Sequence, residues 1–126
     1  MAKKGDALIE TLRYGYIAEC KRLVEEEGAD VHEKDEHGKS CFYIACSCGR
    51  LNIVEYLESK GANINDKDSI GRSCLMWTCL KGHLDIVEFL VSKGADIIND
   101  KTYSGKNSLS TACLKSHLDI AEYLMA

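Results

Sequence analysis

Cysteine and histidine are the residues of this chain that could act as nucleophiles, redox groups or metal ligands. The 126 residues include seven cysteines and four histidines. Cys41 and Cys74 lie 33 positions apart, as do Cys46 and Cys79, and Cys113 follows 34 positions after Cys79. Free cysteine packs like a small apolar residue, so this recurrence predicts a column of buried thiols in a repeated structure.

The spacing of these residues does not favour catalysis or metal binding. Cys46 and Cys48 have no second pair of ligands at the spacing of a zinc site. A cysteine-histidine nucleophile needs a third orienting group and a pocket, whereas His83 and His117 recur at one position of a repeat, as a scaffold residue would. No cluster of glycines forms a phosphate-binding loop. We therefore expect a protein that is not an enzyme and that uses no metal or cofactor.

The composition predicts one folded domain in a reducing compartment. Apolar residues make up 45% and charged residues 29% of the chain, which is enough apolar material for one core over residues 1–126. The odd number of cysteines argues against a closed disulfide framework. No apolar run reaches the ~18 residues needed to cross a bilayer, and no signal peptide is recognisable at the N-terminus. We expect a monomer in the cytoplasm, with the nucleus as the alternative.

A repeat of 33 residues must position all of these side chains. Residues 35–57 align with residues 68–90, and a third copy at 102–124 is offset by one extra residue, which we place at Ile97-Ile98. A more divergent first copy ends in the sequence Gly-Ala-Asp-Val at 28–31. The four units are expected at about residues 6–34, 35–67, 68–101 and 102–126.

Each unit carries the signals of two short antiparallel helices and a projecting turn. Ser40, Ser73 and Asn107 can cap the start of a first helix by accepting backbone N–H bonds. Gly49 and Gly82 can end that helix, because glycine adopts positive φ without strain. Leucine, isoleucine and valine then recur at near-helical spacing, which predicts an amphipathic second helix. One unit cannot bury its apolar faces alone, so the sequence predicts an all-α solenoid of stacked units.

These motifs resemble those of the ankyrin-repeat family, over almost the whole chain. The resemblance is carried by residues 82–87 (Gly-His-Leu-Asp-Ile-Val), by Leu90 and by residues 94–96 (Gly-Ala-Asp). It implies a helical solenoid of antiparallel helix pairs with turns shaped like β-hairpins, and a role in binding another protein. The family's usual Thr-Pro-Leu-His helix start reads Ser-Cys-Phe-Tyr at 40–43, and the chain contains no proline. Proline pre-organises a helix start, so we expect modest stability.

The resemblance also implies where a partner binds, on the turn tips and on the inner faces of the first helices, which together form a concave surface. Transferred position by position, the candidate partner-binding residues are Lys34, His37, Lys39, Lys67, Ile70, Arg72, Leu80, Lys81, Lys101, Tyr103, Lys106, Leu114 and Lys115. Eight of the sixteen lysines and arginines occupy these positions, although the whole chain has a net charge of −4. This segregation either speeds encounter with an acidic partner or only keeps the turns solvated.

Three functions fit this surface. The leading hypothesis is an adaptor or inhibitor that binds a partner protein, with Ile70, Leu80, Tyr103 and Leu114 as apolar anchors. Nucleic-acid binding through the lysine columns is the first alternative, although the chain as a whole is acidic. A redox sensor is the second, and it would use Cys48, which we expect near the surface.

Two aromatic residues of the first helices could be mistaken for part of the binding surface. The helical phase of Phe42 and Trp77 points toward the stack, so we expect both in the core.

Overall fold

The repeated helix pattern forms eight helices in four antiparallel pairs within the part of the chain that the computed structural model describes. The described backbone comprises residues 4–35, 37–95, 101 and 105–126, with side chains from Ala7 onward. The helices are α1 (Lys4–Tyr14), α2 (Ile17–Glu25), α3 (Cys41–Ser47), α4 (Leu51–Ser59), α5 (Cys74–Lys81), α6 (Leu84–Ser92), α7 (Ser108–Leu114) and α8 (Leu118–Met125).

The pairs stack in chain order, so that two layers of helices result. In the first layer α1 packs on α3, α3 on α5, and α5 on α7. In the second layer α2 packs on α4, α4 on α6, and α6 on α8. Because every unit contacts only its neighbours, one continuous core runs through the stack, and the predicted helical solenoid is confirmed.

A short turn shaped like a hairpin precedes the three later first helices. Its two sides are joined by antiparallel backbone bridges between Lys34 and Ser40, between Lys67 and Ser73, and between Lys101 and Asn107. The described residues contain no longer strand than these bridges. Each bridge therefore closes the base of one of the predicted turns. The extra residue expected at Ile97-Ile98 lies outside the described residues.

The predicted caps start the first helices. The Ser40 hydroxyl accepts the Tyr43 amide and the Ser73 hydroxyl accepts the Met76 amide, each at 3.1 Å. Asn107 forms a reciprocal capping box, in which its side chain accepts the Ser110 amide at 2.8 Å and its own amide donates to the Ser110 hydroxyl at 3.1 Å. These bonds satisfy N–H groups that have no partner inside the helix, so they fix where each first helix begins.

The glycine that ends a first helix lies directly beneath a side chain of the next unit. Gly49 has φ of 74°, and a Cβ there would come within 2.7 Å of the His83 ring. Gly82 has φ of 80°, and a Cβ there would come within 2.9 Å of the His117 ring. The His117 ring also donates through Nε2 to the Leu80 carbonyl at 3.0 Å. Each histidine therefore packs against the end of the first helix in the unit before it.

Most of the predicted thiol column is buried. Cys41, Cys46, Cys74 and Cys79 are fully inaccessible and pack in the core. The expectation is wrong for Cys113, which is exposed on α7. The physical reason is that no described helix of the first layer packs on the far side of α7.

Candidate partner-binding groove

An open groove lies between α5 and α7, on the side of the stack formed by the first helices and the turns. Its volume is about 280 Å³. The lining residues are Ile70, Arg72, Met76, Trp77, Leu80, Lys106, Thr111, Leu114 and Lys115. Six of the thirteen predicted partner-binding residues therefore come together here. They are Ile70, Arg72, Leu80, Lys106, Leu114 and Lys115.

The groove is apolar along its length. Ile70 at the turn tip and Leu114 at the end of α7 are 56% and 68% exposed. Met76, Trp77 and Leu80 project into the same groove from α5. Exposed apolar side chains next to a concave site are the usual source of binding energy in protein interfaces.

Trp77 lies at the centre of three cationic side chains, which we call the Trp77 cluster. The Arg72 guanidinium carbon lies 4.6 Å from the centre of the indole ring. The Lys81 ammonium lies 5.4 Å and the Lys39 ammonium 5.9 Å from the same centre. Lys81 reaches the ring because it follows Trp77 by four residues on one helix face, whereas Lys39 comes from the preceding turn. The indole face attracts cations, and this attraction concentrates positive charge at the groove.

A buried carboxylate holds Arg72 in this position. Asp68 Oδ2 accepts the Arg72 Nε–H at 2.9 Å and the Tyr43 hydroxyl at 2.8 Å. Its Oδ1 accepts the backbone amides of Ile70 and Arg72 at 3.0 and 2.9 Å. Burial opposes the charge of Asp68, but the bonds from the Arg72 amide, the Tyr43 hydroxyl and the Ile70 amide outweigh it and lower its pKa. Arg72 is therefore a fixed part of the groove wall.

Tyr43 supports the other side of the indole. The two rings meet edge to face, with centroids 6.3 Å apart and an angle of 81° between the planes. Burial first, and then the bond to Asp68, raise the pKa of Tyr43, so its hydroxyl stays protonated and donates. The orientation of Trp77 is thus set from the preceding unit.

One sequence interpretation needs correction at this site. Phe42 is fully buried, as expected, but Trp77 is only half buried and faces the groove. Only 32% of the Arg72 side chain is exposed, because it pairs with Asp68. The indole is too large to fit wholly between the helices that bury its repeat equivalent Ile44.

The other predicted binding residues lie outside the groove lining. Lys34, His37, Lys67 and Lys101 are exposed on the turns. Lys39 and Lys81 contact the groove only through the Trp77 ring. Tyr103 lies outside the described residues.

Three of the buried thiols are poor nucleophiles. Burial raises the pKa of Cys20 to about 11, and it raises those of Cys41 and Cys79 to about 12. Cys48, the expected redox residue, is half buried, and Cys113 is the exposed cysteine instead. Among the residues described, no group of three or more histidines, cysteines and carboxylates is placed to hold a metal ion. Nor is any described helix both long and apolar enough to span a bilayer.

The comparisons with known proteins match this architecture. A family model of ankyrin repeats in three copies matches residues 2–68 and 60–126. Protein phosphatase 1 regulatory subunit 27 of Homo sapiens and its counterpart of Mus musculus are each 44% identical to the chain over 51 residues. That segment is 40% of this chain and 32% of either relative, so the match spans about a third of the relatives' length. The chain belongs to the ankyrin-repeat family, as its 33-residue period and stacked helix pairs require.

Proposed function

We propose that this chain is a non-catalytic protein-interaction module that binds a partner protein through the groove and the turns beside it. The observation that carries the proposal is the groove itself, in which exposed Ile70 and Leu114 flank a half-buried tryptophan. Partner-binding hot spots are enriched in tryptophan and arginine, and both line this groove. The match to two phosphatase regulatory subunits supports an adaptor or inhibitor role over catalysis.

Nucleic-acid binding and redox sensing are less well supported. The groove between the cations is lined by aliphatic and aromatic side chains, and the chain has a net charge of −4. The redox hypothesis depended on Cys48, which is half buried beside the core.

The test compares which proteins are captured from a lysate of the source cell by three forms of the chain. The groove variant combines Ile70→Glu with Leu114→Glu. The matched control combines Leu118→Glu with Met125→Glu, because these residues of α8 are both 65% exposed and lie outside the groove lining. Both variants change two exposed apolar residues to glutamate, so nonspecific effects of added charge should be equal.

We expect quantitative mass spectrometry to find proteins that the wild type and the α8 control retain and the groove variant loses. Circular dichroism must show equal helicity for all three forms. If the groove variant retains the same proteins as the wild type, the groove is not the binding surface and the proposal is wrong.

A further inference from the structure

We infer that the groove recognises a peptide segment of the partner in which an acidic side chain lies next to an apolar one. This inference rests on the proposed function and specifies the chemistry of the partner. The acidic side chain would meet the Trp77 cluster, and the apolar side chain would enter the groove between α5 and α7.

The charged residues that line the groove are positive. Its nine lining residues include three cations, Arg72, Lys106 and Lys115, and no aspartate or glutamate. Lys39 and Lys81 add two more cations within 6 Å of the Trp77 ring centre. Asp68, which pairs with Arg72 in this cluster, is 2% exposed and already accepts bonds from Arg72 and Tyr43. Several like charges around one ring repel each other, and a bound carboxylate relieves that repulsion.

Other aromatic rings of the chain show what a compensated site looks like. The lysines at Tyr56 are Lys21 and Lys60, at 5.6 and 5.7 Å, but a Glu25 oxygen lies 3.7 Å from the Lys60 ammonium. Burial, and then the neighbouring Glu25 carboxylate, raise the pKa of Tyr56 to about 12. One exposed carboxylate, Glu25, thus accompanies the lysines at this ring. At Trp77 the carboxylate that pairs with a described cation, Asp68, is buried, and Asp35 contacts Lys39 through its backbone amide, so we expect the partner to supply an exposed anion.

A similar arrangement occurs at Phe89. Lys93 lies 5.8 Å from the centre of this ring, and a Glu58 oxygen lies 3.9 Å from the Lys93 ammonium. Neither ring lines the groove at Trp77.

Most of the other residues that line the groove are apolar. Leu80 of α5, Leu114 of α7 and Ile70 of the turn before α5 all line the groove. The volume of about 280 Å³ is enough for one large aliphatic side chain together with its backbone. A fully polyanionic ligand would leave this lining uncovered, so the structure favours a mixed acidic and apolar peptide.

The chain carries its own reporter for the test, because Trp77 is its single tryptophan. The probe is a capped pentapeptide with a central leucine and two glutamates on each side. Two comparison peptides replace either all the glutamates by glutamine or the leucine by alanine. Binding is followed by the tryptophan emission and, independently, by the anisotropy of a fluorescein-labelled copy of each peptide.

We expect saturable binding of the glutamate peptide at low salt, with a change in the Trp77 emission. The glutamine peptide should bind roughly 10-fold more weakly or not at all, because it lacks the charges that meet the cluster. The alanine peptide should bind roughly 5-fold more weakly, because it buries less apolar surface. Equal affinity for the glutamate and glutamine peptides would overturn the inference.

The matched variants test the location. Lys39→Gln with Lys81→Gln removes two cations from the Trp77 cluster and leaves the Arg72 contact with Asp68 intact. Lys21→Gln with Lys60→Gln removes two cations from Tyr56 and serves as the control. We expect roughly a 10-fold loss of peptide affinity for the first pair and less than about a twofold change for the second. If both double variants lose the same amount of peptide affinity, the peptide responds only to the net charge of the chain, and the location in the inference is wrong.

Two outcomes would show that this inference is wrong while leaving the proposed function in place or tested separately. If the groove variant loses captured proteins but no form of the chain binds the glutamate peptide, the interaction surface stands and the acidic-apolar preference is wrong. If the peptide binds and its binding survives Ile70→Glu with Leu114→Glu, the peptide does not use the groove, and the inference is also wrong.

Discussion

The bonds to Asp68 should make it the polar side chain whose replacement destabilises this chain most. Asp68→Asn keeps the shape of the residue and the oxygen that accepts the amides of Ile70 and Arg72. It places an NH₂ group where Oδ2 now accepts from Tyr43 and from Arg72 Nε. The Tyr43 hydroxyl and the Arg72 Nε–H then face an NH₂ group that cannot accept their hydrogen bonds. The partly buried Arg72 guanidinium also loses the negative charge that compensates it.

The magnitude follows from these two lost bonds. Hydrogen bonds to a charged group contribute about 1.5–3 kcal/mol each. The Arg72 contact contributes toward the lower end, because a third of that side chain is exposed to solvent screening. We therefore expect Asp68→Asn to lower the free energy of unfolding by about 3 kcal/mol.

Asp35 provides the control, because it occupies the same position one repeat earlier. Its Oδ1 accepts the amides of His37 and Lys39, both at 2.9 Å, as Oδ1 of Asp68 accepts the amides of its own turn. Asparagine retains that oxygen, so Asp35→Asn should cost less than about 1 kcal/mol. Urea unfolding followed by circular dichroism measures both variants. Equal costs for the two substitutions would refute the assignment of stability to the Tyr43 and Arg72 bonds.

The same contacts predict how the difference depends on pH. The pKa of Asp68 is lowered in the folded state, so its contribution is fully present above the unfolded pKa of about 3.9 and is lost as pH falls through the folded pKa. The wild type should therefore lose its advantage over Asp68→Asn below about pH 4. If the wild type is still more stable than Asp68→Asn by the same amount at about pH 2, the lowered pKa of Asp68 in the folded state is contradicted.

Three further predictions concern single positions. Ser116 has φ of 59° where the other first helices end in glycine, so Ser116→Gly should raise the free energy of unfolding by about 0.5–1 kcal/mol in urea unfolding. Gly82→Ala should lower it by more than about 1 kcal/mol, because its Cβ would meet the His117 ring at 2.9 Å. Native alkylation mapped by mass spectrometry should modify exposed Cys113 first, and equally fast labelling of buried Cys41 would contradict the burial that raises its pKa to about 12.

The helices and turns could be predicted because each unit repeats its local signals. Ser40 and Ser73 occur one period apart, and both cap a helix in the same way. The exposure of Ile70 and Leu114 followed from where each lies in its repeat, Ile70 in the turn and Leu114 at the end of a first helix. Local chemistry repeated three times therefore determines where each helix begins, which face it buries and which side chains reach the turn side.

The centre of the groove could not be predicted, because it depends on contacts between units. Helical phase assigns Trp77 to the same side as Ile44 and Thr111, and those two smaller residues are indeed buried. Only the packed structure shows that the indole extends past the helices into the groove. The sequence likewise did not predict that Arg72 pairs with Asp68, a buried residue of the same turn.

The contact between a glycine and the side chain above it has a consequence for how such arrays can be rearranged. The pairs Gly49 with His83 and Gly82 with His117 each join the end of one first helix to the start of the next second helix. A tandem duplication of residues 68–101 would place a new histidine over a copy of the same glycine, so every junction would keep its matched pair. Shuffling with a unit that has a bulkier residue at the glycine position would break the junction. This one small residue therefore sets which modules are interchangeable.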